Sequence, residues 1–291
     1  MTWIADNSLT IFQKFCINVL KSGPIPKHIA FIMDGNRRYA KKHQVEKVDG
    51  HSKGFQKLSD CLSWCLELGI KEVTVYAFSI ENFKRTNDEV DQLLQLAREK
   101  FAKLFEEKDK LMENGVCIRV IGNLTLVPED LRKLIAKAML MTRNNDKAIL
   151  NVAFAYTSRD EIVNSLKVIN EAVKNGDIVC NDINENLISY CMYTNQSPNP
   201  DLLVRTSGEV RLSDFLLWQT ANSQICFTKV LWPEFGIWHL LACIFQYQRG
   251  CKELQVDASR PFSNIENNNV KTFLHKLDER RLKQLEIYAS A

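Results

Sequence analysis

No C-x-x-C pair occurs in this chain, although it holds nine cysteines among 291 residues. An odd number of scattered thiols does not describe a disulfide framework. Cys61 and Cys65, four apart on one face of an expected helix, find no second pair to complete a zinc site. The cysteines therefore read as free or structural thiols of a reducing compartment, where the sequons at Asn123 and Asn195 carry no meaning. Long apolar runs are missing too. The start, Met1 to Leu20, is broken by Asp6 and Lys14. The most apolar stretch, Phe235 to Tyr247, has the length of a buried helix and is too short to span a bilayer. Any membrane contact is expected to be peripheral. Charge of one sign is scarce as well: the net charge is only +3, which argues against nucleic-acid binding. Nucleotide signatures are absent, with no G-x-G-x-x-G and no G-x-x-x-x-G-K-[ST]. A phosphatase of the Asp-x-Asp type would need a second aspartate where Asn36 stands, and five histidines offer no convincing Ser–His–Asp set.

What the chain does have is apolar residues, 45% of the total, enough for one α/β domain with extensions. Apolar, β-branched runs predict strands at Ile29–Met33, Glu72–Phe78, Val116–Ile121, Ile149–Tyr156, Asp201–Thr206 and Gln224–Leu231. Helical patterns lie between them. Ser52–Leu68 carries Phe55, Leu58, Leu62, Cys65 and Leu66 on one face and stops at Gly69. Thr86 and Glu89 predict a capping box opening a helix to about Asn114, and Ser158 with Glu161 repeats the signal. The expected fold class is α/β, a mostly parallel sheet of about six strands flanked by helices, with N- and C-terminal helical extensions. The division expected is 1–25 for an N-terminal amphipathic helix, 26–250 for the catalytic domain and 251–291 for a C-terminal loop and helix. In the first, Phe12, Phe15, Cys16, Val19 and Leu20 fit either a helix packed on the core or one lying at a membrane surface or tunnel mouth. In the last, Asp257–Asn269 reads as a polar loop, and Val270–Tyr288 as a helix packing on its own core or on a partner.

Open α/β sheets bind ligands beyond the carboxyl ends of their strands. After the first strand comes Asp34-Gly35-Asn36-Arg37-Arg38, a carboxylate and a glycine at a helix start, followed by two arginines. That suits a Mg²⁺–diphosphate, since Mg²⁺ takes one or two protein carboxylates and fills its octahedron with phosphate oxygens and water. The plainer reading is a helix cap. Gly50-His51 falls where the loop after Asp34 is expected to close, with His51 a structural histidine or a weaker site candidate. After the second strand, Ser79, Asn82 and Arg85 offer a hydroxyl, an amide and a guanidinium; a polar turn explains Asn82 but not Arg85. After the fifth strand, Arg205, Arg211 and Ser213 surround a glycine turn. Guanidinium forks match phosphate oxygens, so this loop reads as an anion site or, more plainly, as a surface salt-bridge cluster with Glu209 and Asp214. Five arginines around one strand-end carboxylate suit one metal and two polyanions.

Taken together, Met33–Ala40, Gly50-His51, Tyr76–Arg85, Arg205–Trp218 and Leu231–Phe235 resemble the cis-prenyltransferase family, in order over about Pro26 to Gln248. The paired Arg37-Arg38, the Gly23–His28 lead-in and the N-terminal helix look most like its eukaryotic, dehydrodolichyl diphosphate-synthesising branch. The resemblance implies a Mg²⁺-dependent enzyme that condenses isopentenyl diphosphate onto an allylic diphosphate such as farnesyl diphosphate, giving a long polyprenyl diphosphate for dolichol synthesis and protein glycosylation. It implies that Asp34 holds Mg²⁺, and that Gly35, Asn36, Arg37, Arg38 and Arg85, with His51 nearby, bind the allylic diphosphate. Arg205, Arg211 and Ser213 would bind isopentenyl diphosphate, and Ser79 and Asn82 would lie near the reacting carbons and assist proton removal. The Asp-Asp-x-x-Asp motif of the unrelated trans enzymes is absent, as no two aspartates are adjacent. Homodimeric members carry an Arg-x-Gly element that reaches the partner's site; this sequence has none, and its corresponding stretch is Arg249–Gln255. The implied partner is a Nogo-B-receptor-type subunit that supplies Arg-x-Gly, with the complex on the cytoplasmic face of the endoplasmic reticulum. Two other readings are a non-catalytic subunit of such a complex, which would have lost these residues, and a phosphate-binding regulatory module.

Overall fold

The structure, a computed structural model, describes Trp3 and residues 9–251 and 267–290. Most of the expected loop Asp257–Asn269, and Lys252–Gln255 of the stretch set against Arg-x-Gly, lie outside the described residues.

Six strands form one sheet among the described residues: β1 His28–Ile32, β2 Glu72–Ser79, β3 Val116–Ile121, β4 Ala148–Tyr156, β5 Leu202–Arg205 and β6 Gln224–Phe227. Their order is β3-β4-β2-β1-β5-β6, and every pairing is parallel. Parallel strands need crossovers, and the helices that provide them cover both faces, so β1 is buried at all five positions. The expected sheet is thus present, with the last two strands shortened, β5 by one residue at each end and β6 more. The run Gln224–Leu231 pairs only to Phe227, because beyond it the chain turns to serve the loop after β5, with Ser207 and Gly208 donating to the carbonyls of Val230 and Thr228.

The helices are α1 Ile11–Lys21, α2 Asn36–Lys42, α3 Lys47–Leu68, α4 Asn87–Glu106, α5 Lys108–Glu113, α6 Glu129–Thr142, α7 Ser158–Lys174, α8 Glu185–Cys191, α9 Ile237–Gly250 and α10 Asn268–Ser290. Gly69 closes α3 in the left-handed conformation, as expected. Both expected capping boxes fail. Thr86 occupies the N-cap of α4 without a side-chain bond, and the Glu89 carboxylate turns to three cations instead. At α7 the cap is Thr157, accepting from the Asp160 N–H. Glu161 is buried among Tyr156, Thr194 and Gln219. The helix expected to reach Asn114 breaks at Glu107 into α4 and α5. A long-range bond or ion pair outweighs a local cap when the side chain is buried, which spacing alone does not reveal.

The larger apolar core joins one sheet face to α1, α3, α4, α6 and α9. On the other side, α10 buries Val270, Phe273, Leu274 and Leu277 against Ile169 and Ala172 of α7 and Leu187 and Tyr190 of α8. Arg281 fastens it by donating to the carbonyls of Cys191 (2.7 Å) and Met192 (3.1 Å), satisfying the end of α8. The C-terminal helix thus packs on its own chain.

Candidate active site

β1 is the switch point of the sheet: the chain adds β2 on one side of it and β5 on the other. The carboxyl ends of β2, β1 and β5 therefore converge at the centre of the sheet. Asp34 leaves β1 with its backbone clamped. Its N–H donates to Thr206 Oγ1 (3.0 Å), and its carbonyl accepts from Thr206 Oγ1 (2.7 Å) and the Trp232 N–H (3.0 Å). Gly35 follows at φ 113°, a left-handed backbone hard against Leu231; a Cβ there would lie 3.1 Å from the Leu231 Cα.

Two basic clusters stand at these strand ends. In the first, Arg205 is 3% exposed and donates to Asp34 Oδ2 (2.9 Å), Ser213 Oγ (2.7 Å) and the carbonyl of Arg211. Arg38 Nη1 donates to the carbonyl of Ser207 (2.9 Å), Nη2 donates to its hydroxyl, and the guanidinium lies 3.7 Å from Asp34 and 3.5 Å from Glu209. Arg211 pairs with Glu209 at the exposed rim. The loop is held in an unusual shape, with Ser207, Ser213 and Asp214 all at positive φ. Burial works against ionisation of Asp34, but the hydrogen bond and charge of Arg205, then Ser207 and Arg38, hold its carboxyl below the ordinary value.

The second cluster centres on Glu89, the residue read as a cap. Its carboxylate accepts from Arg85 (2.9 Å) and Lys47 (3.0 Å) and lies 3.6 Å from Arg37. Burial opposes its charge, yet Lys47, Arg85 and Arg37 hold the carboxyl low. His51 is not in a loop but inside α3. Burial and then Arg85 push its pKa down to about 4. Its Nε2 and Asn36 Oδ1 are buried with no hydrogen-bond partner, while Asn36 Nδ2 meets His51 Nδ1 at 3.4 Å. Such paired vacancies in hydrogen bonding mark a place built for polar company. The structure thus separates two neighbours: Arg37 belongs with Arg85, Arg38 with Arg205. Ser79 and Asn82 cap the turn Ile80–Lys84 at its start, Asn82 Oδ1 accepting from the Ser79 N–H (3.0 Å) and Ser79 Oγ from the Glu81 N–H (3.1 Å). Their side chains shape the loop that delivers Arg85.

Asn36 and His51 also wall a cavity of about 130 Å³ whose other lining is almost wholly apolar. Leu93, Ala97 and Phe101 of α4 line it, whereas Leu94 and Leu104 lie in the core alone. Trp3 closes its lining, donating from Nε1 to the Lys100 carbonyl (2.9 Å) with its ring edge-on to Phe55 at 4.9 Å. A larger cavity, about 780 Å³, lies on the opposite face between β3 and α10 and contains neither cluster.

No group of three or more His, Cys, Asp or Glu fit to hold a metal exists among the described residues. The donor set at Asp34, one carboxylate among guanidiniums, fits Mg²⁺ carried largely by substrate phosphates and does not fit a self-sufficient metal cage. Sequence reasoning missed Lys47, Thr206 and Ser207, and read Glu89 as a cap alone, while Glu209 pairs with arginines as the plainer reading of its loop had it. Thr206 and Ser207 sit inside the Arg205–Asp214 motif and were legible there; Lys47 carried no signal.

The chain is similar to known proteins. The Prenyltransf family, described as "Putative undecaprenyl diphosphate synthase", matches residues 32–254. The chain is 58% identical over 255 residues to the dehydrodolichyl diphosphate synthase complex subunit DHDDS of Homo sapiens, covering 88% of this chain and 77% of that protein. It is 42% identical to a dehydrodolichyl diphosphate synthase complex subunit of Schizosaccharomyces pombe, covering 85% and 93%. Among solved structures it is similar to lavandulyl diphosphate synthase from Lavandula x intermedia in complex with dimethylallyl diphosphate. That likeness has a TM-score of 0.73 and 33% identity, and it spans 77% of this chain and 95% of the other.

Proposed function

The chain belongs to the cis-prenyltransferase family, and from that membership we propose that it condenses isopentenyl diphosphate units onto farnesyl diphosphate to make long-chain dehydrodolichyl diphosphate for dolichol synthesis. The observation that carries the reading is the meeting of three features: two guanidinium clusters, one strand-end carboxylate, and an apolar cavity sharing Asn36 and His51 with the polar site. An allylic diphosphate has a charged head and a hydrocarbon tail, and this site offers an end for each.

Gly35, Asn36, Arg37 and Arg85, with His51 beside them, would hold the allylic diphosphate. Arg205, Arg211 and Ser213 would hold that of isopentenyl diphosphate, with Arg38 between the two. Asp34 would hold Mg²⁺, which when bound stabilises the negative charge of the departing diphosphate. The guanidiniums act on the same charge where it develops. The allylic C–O bond breaks, the isopentenyl double bond supplies the electrons for the new C–C bond, and a proton then passes from the isopentenyl carbon to an oxygen of the departing diphosphate. Ser79 and Asn82 sit at the end of β2, where they would help that proton away. Each buried CH₂ is worth about 0.8 kcal/mol, so the cavity wall favours the growing chain.

The relatives are named as subunits of a complex, which implies a partner subunit. The missing Arg-x-Gly supports a Nogo-B-receptor-type partner that brings it to the diphosphates. No helix among the described residues is long and apolar enough to cross a membrane. The partner would anchor the pair at the cytoplasmic face of the endoplasmic reticulum, with this chain peripheral. The test is incubation with labelled isopentenyl diphosphate, farnesyl diphosphate and Mg²⁺, with and without that partner. Labelled long-chain product is expected with the partner. Its absence under both conditions refutes the reading.

A further inference from the structure

Cys226 on β6 and Cys243 on α9 come from different elements, and their sulfur atoms lie 3.2 Å apart, both buried and both free. Sulfurs in contact mean that the two Cβ–Sγ bonds converge, which is the geometric condition for a bridge. The shared hydrogen bond lowers the pKa of the Cys226 thiol and, with burial, raises that of Cys243. The pair is therefore unsymmetrical: one sulfur is the readier nucleophile and the other keeps its proton. Cys61 and Cys65 lie four apart on one helix, so a bond between them would tie no two elements together.

A bond between Cys226 and Cys243 would close a loop, and that loop is the floor of the active site. Within it, the Thr228 carbonyl accepts from the Gly208 N–H (2.8 Å) and the Val230 carbonyl from the Ser207 N–H (2.7 Å). The Trp232 N–H donates to the Asp34 carbonyl (3.0 Å), and Leu231 backs Gly35. Both loops that carry the site's charges thus rest on the chain between the two cysteines. The pair is also reachable. β6 is an edge strand of four residues with a neighbour on one side only, and Phe227 beside Cys226 is 39% exposed. Short edge strands open locally at less than the cost of global unfolding, which admits a small oxidant.

We infer that Cys226 and Cys243 form an oxidative modification site, at which a peroxide makes a reversible disulfide that staples β6 to α9 and braces the floor of the active site. The Cys226 sulfur attacks one peroxide oxygen, the O–O bond breaks, and a sulfenic acid forms as water leaves. The Cys243 sulfur then attacks the Cys226 sulfur, the S–O bond breaks, and a second water departs. Two thiols give up one electron each, and one hydrogen peroxide takes both. Two external thiols reverse the bond by exchange, so in a reducing compartment it is transient.

The experiment treats the full chain, reduced and then freed of reductant, with a slight excess of hydrogen peroxide. It is then quenched in acid, alkylated and digested with trypsin, which cuts at Lys229 between the two cysteines. Mass spectrometry should find the Cys226 peptide joined to the Cys243 peptide, lighter by two hydrogens than their sum. The oxidised chain should melt at least about 4 °C above the reduced one. Amide hydrogens of residues 228–232 should exchange more slowly, and dithiothreitol should undo both changes. Cys243→Ala should show no difference in melting between its treated and untreated forms, and its Cys226 should be trapped as a sulfenic acid by a dimedone reagent. Both cysteines alkylated after peroxide, or either joined to Cys61 instead, overturns the pair. A joined pair in a chain that melts no higher overturns the staple. None of these readouts uses elongation, so they stand apart from the function proposed above.

Discussion

Asp34 and Arg205 are bound to one another, and a change at either is felt by both. Arg205 is almost wholly buried, so Asp34→Ala should do two things. It should abolish elongation by removing the metal-facing carboxylate. It should also cost about 3 kcal/mol of stability by leaving a buried guanidinium uncompensated, a loss visible as a lower denaturant midpoint. Turnover near normal at saturating Mg²⁺ would end the assignment. Glu89 makes a second, separable case. Its carboxylate holds Arg85, Lys47 and Arg37 together. Glu89→Gln should raise the KM for the allylic diphosphate about tenfold, because charge-assisted bonds worth about 1.5–3 kcal/mol no longer fix the cations. The KM for isopentenyl diphosphate should hardly move, since its cluster is built on Asp34 and Glu209; equal rises in both would mean the clusters are not independent. His51 adds a pH dependence. Folded, it stays neutral to about pH 4, and His28 is likewise pushed down by burial. An unfolded histidine takes its proton near pH 6.5, as an approximate reference value. Between those limits the unfolded chain binds the extra proton, so stability falls as pH falls, by on the order of 3 kcal/mol for His51 at pH 4. Melting temperatures at pH 7, 5.5 and 4.5 should drop less steeply in His51→Gln. The low-held carboxyls of Asp34 and Glu89 act only at and below the acid end of this window.

At the scale of elements, the site depends on how closely α2 lies against α3. Gly50 makes that approach possible: a Cβ there would stand 2.5 Å from the Asn36 carbonyl and 3.1 Å from the Ala40 Cβ. The obstacle is backbone, which cannot swing aside as a side-chain tip does. Gly50→Ala should therefore push α2 away, destabilise the protein by about 1–3 kcal/mol and weaken allylic substrate binding, because Asn36, Arg37 and Arg38 all ride on α2. Wild-type kinetics with wild-type stability in that variant would show that α2 can shift freely. The pairing of α1 with α9 illustrates the same principle on the surface, where Gln248 of α9, bonded to the carbonyls of Leu20 and Pro24, fastens one helix to the other.

At the scale of the molecule, the sheet sets the two clusters at adjacent strand ends, while the tail cavity runs beneath one of them. The described chain supplies a carboxylate, both sets of guanidiniums and an apolar wall, but the sequence contains no Arg-x-Gly. Elongation by the chain purified alone should therefore be orders of magnitude below that of the chain copurified with a partner bearing the element. Mutation of the partner's terminal arginine or glycine should erase the gain. Full activity from the lone chain would refute the heteromeric arrangement and leave the prenyltransferase assignment in place.

The sequence by itself determined the sheet, because a parallel strand covered on both faces is written mostly in apolar residues, and Val116–Ile121, interrupted by Arg119 alone, was legible to the residue. It also determined the chemistry at the strand ends, since Asp34 lies just beyond β1, Arg205 ends β5 and Arg85 closes the turn after β2, and the fold puts strand ends together. Only the tertiary structure decided the grouping. Arg37 and Arg38 are neighbours in the chain, yet the turn of α2 points one at Glu89 of α4 and the other at Ser207 and Asp34. Glu89 sat three residues after a threonine, which is the pattern of a cap, and three cations brought in from Lys47, Arg85 and Arg37 outbid the cap's N–H. The outer face of α9 was hidden for the same reason: Trp238 and Phe245 are as apolar as their buried neighbours, yet the packing of α9 leaves them 48% and 55% exposed. Local sequence fixes what a side chain is able to bind, whereas its partner is chosen by elements far along the chain, as the bond from Arg205 to Asp34, 171 positions apart, makes plain.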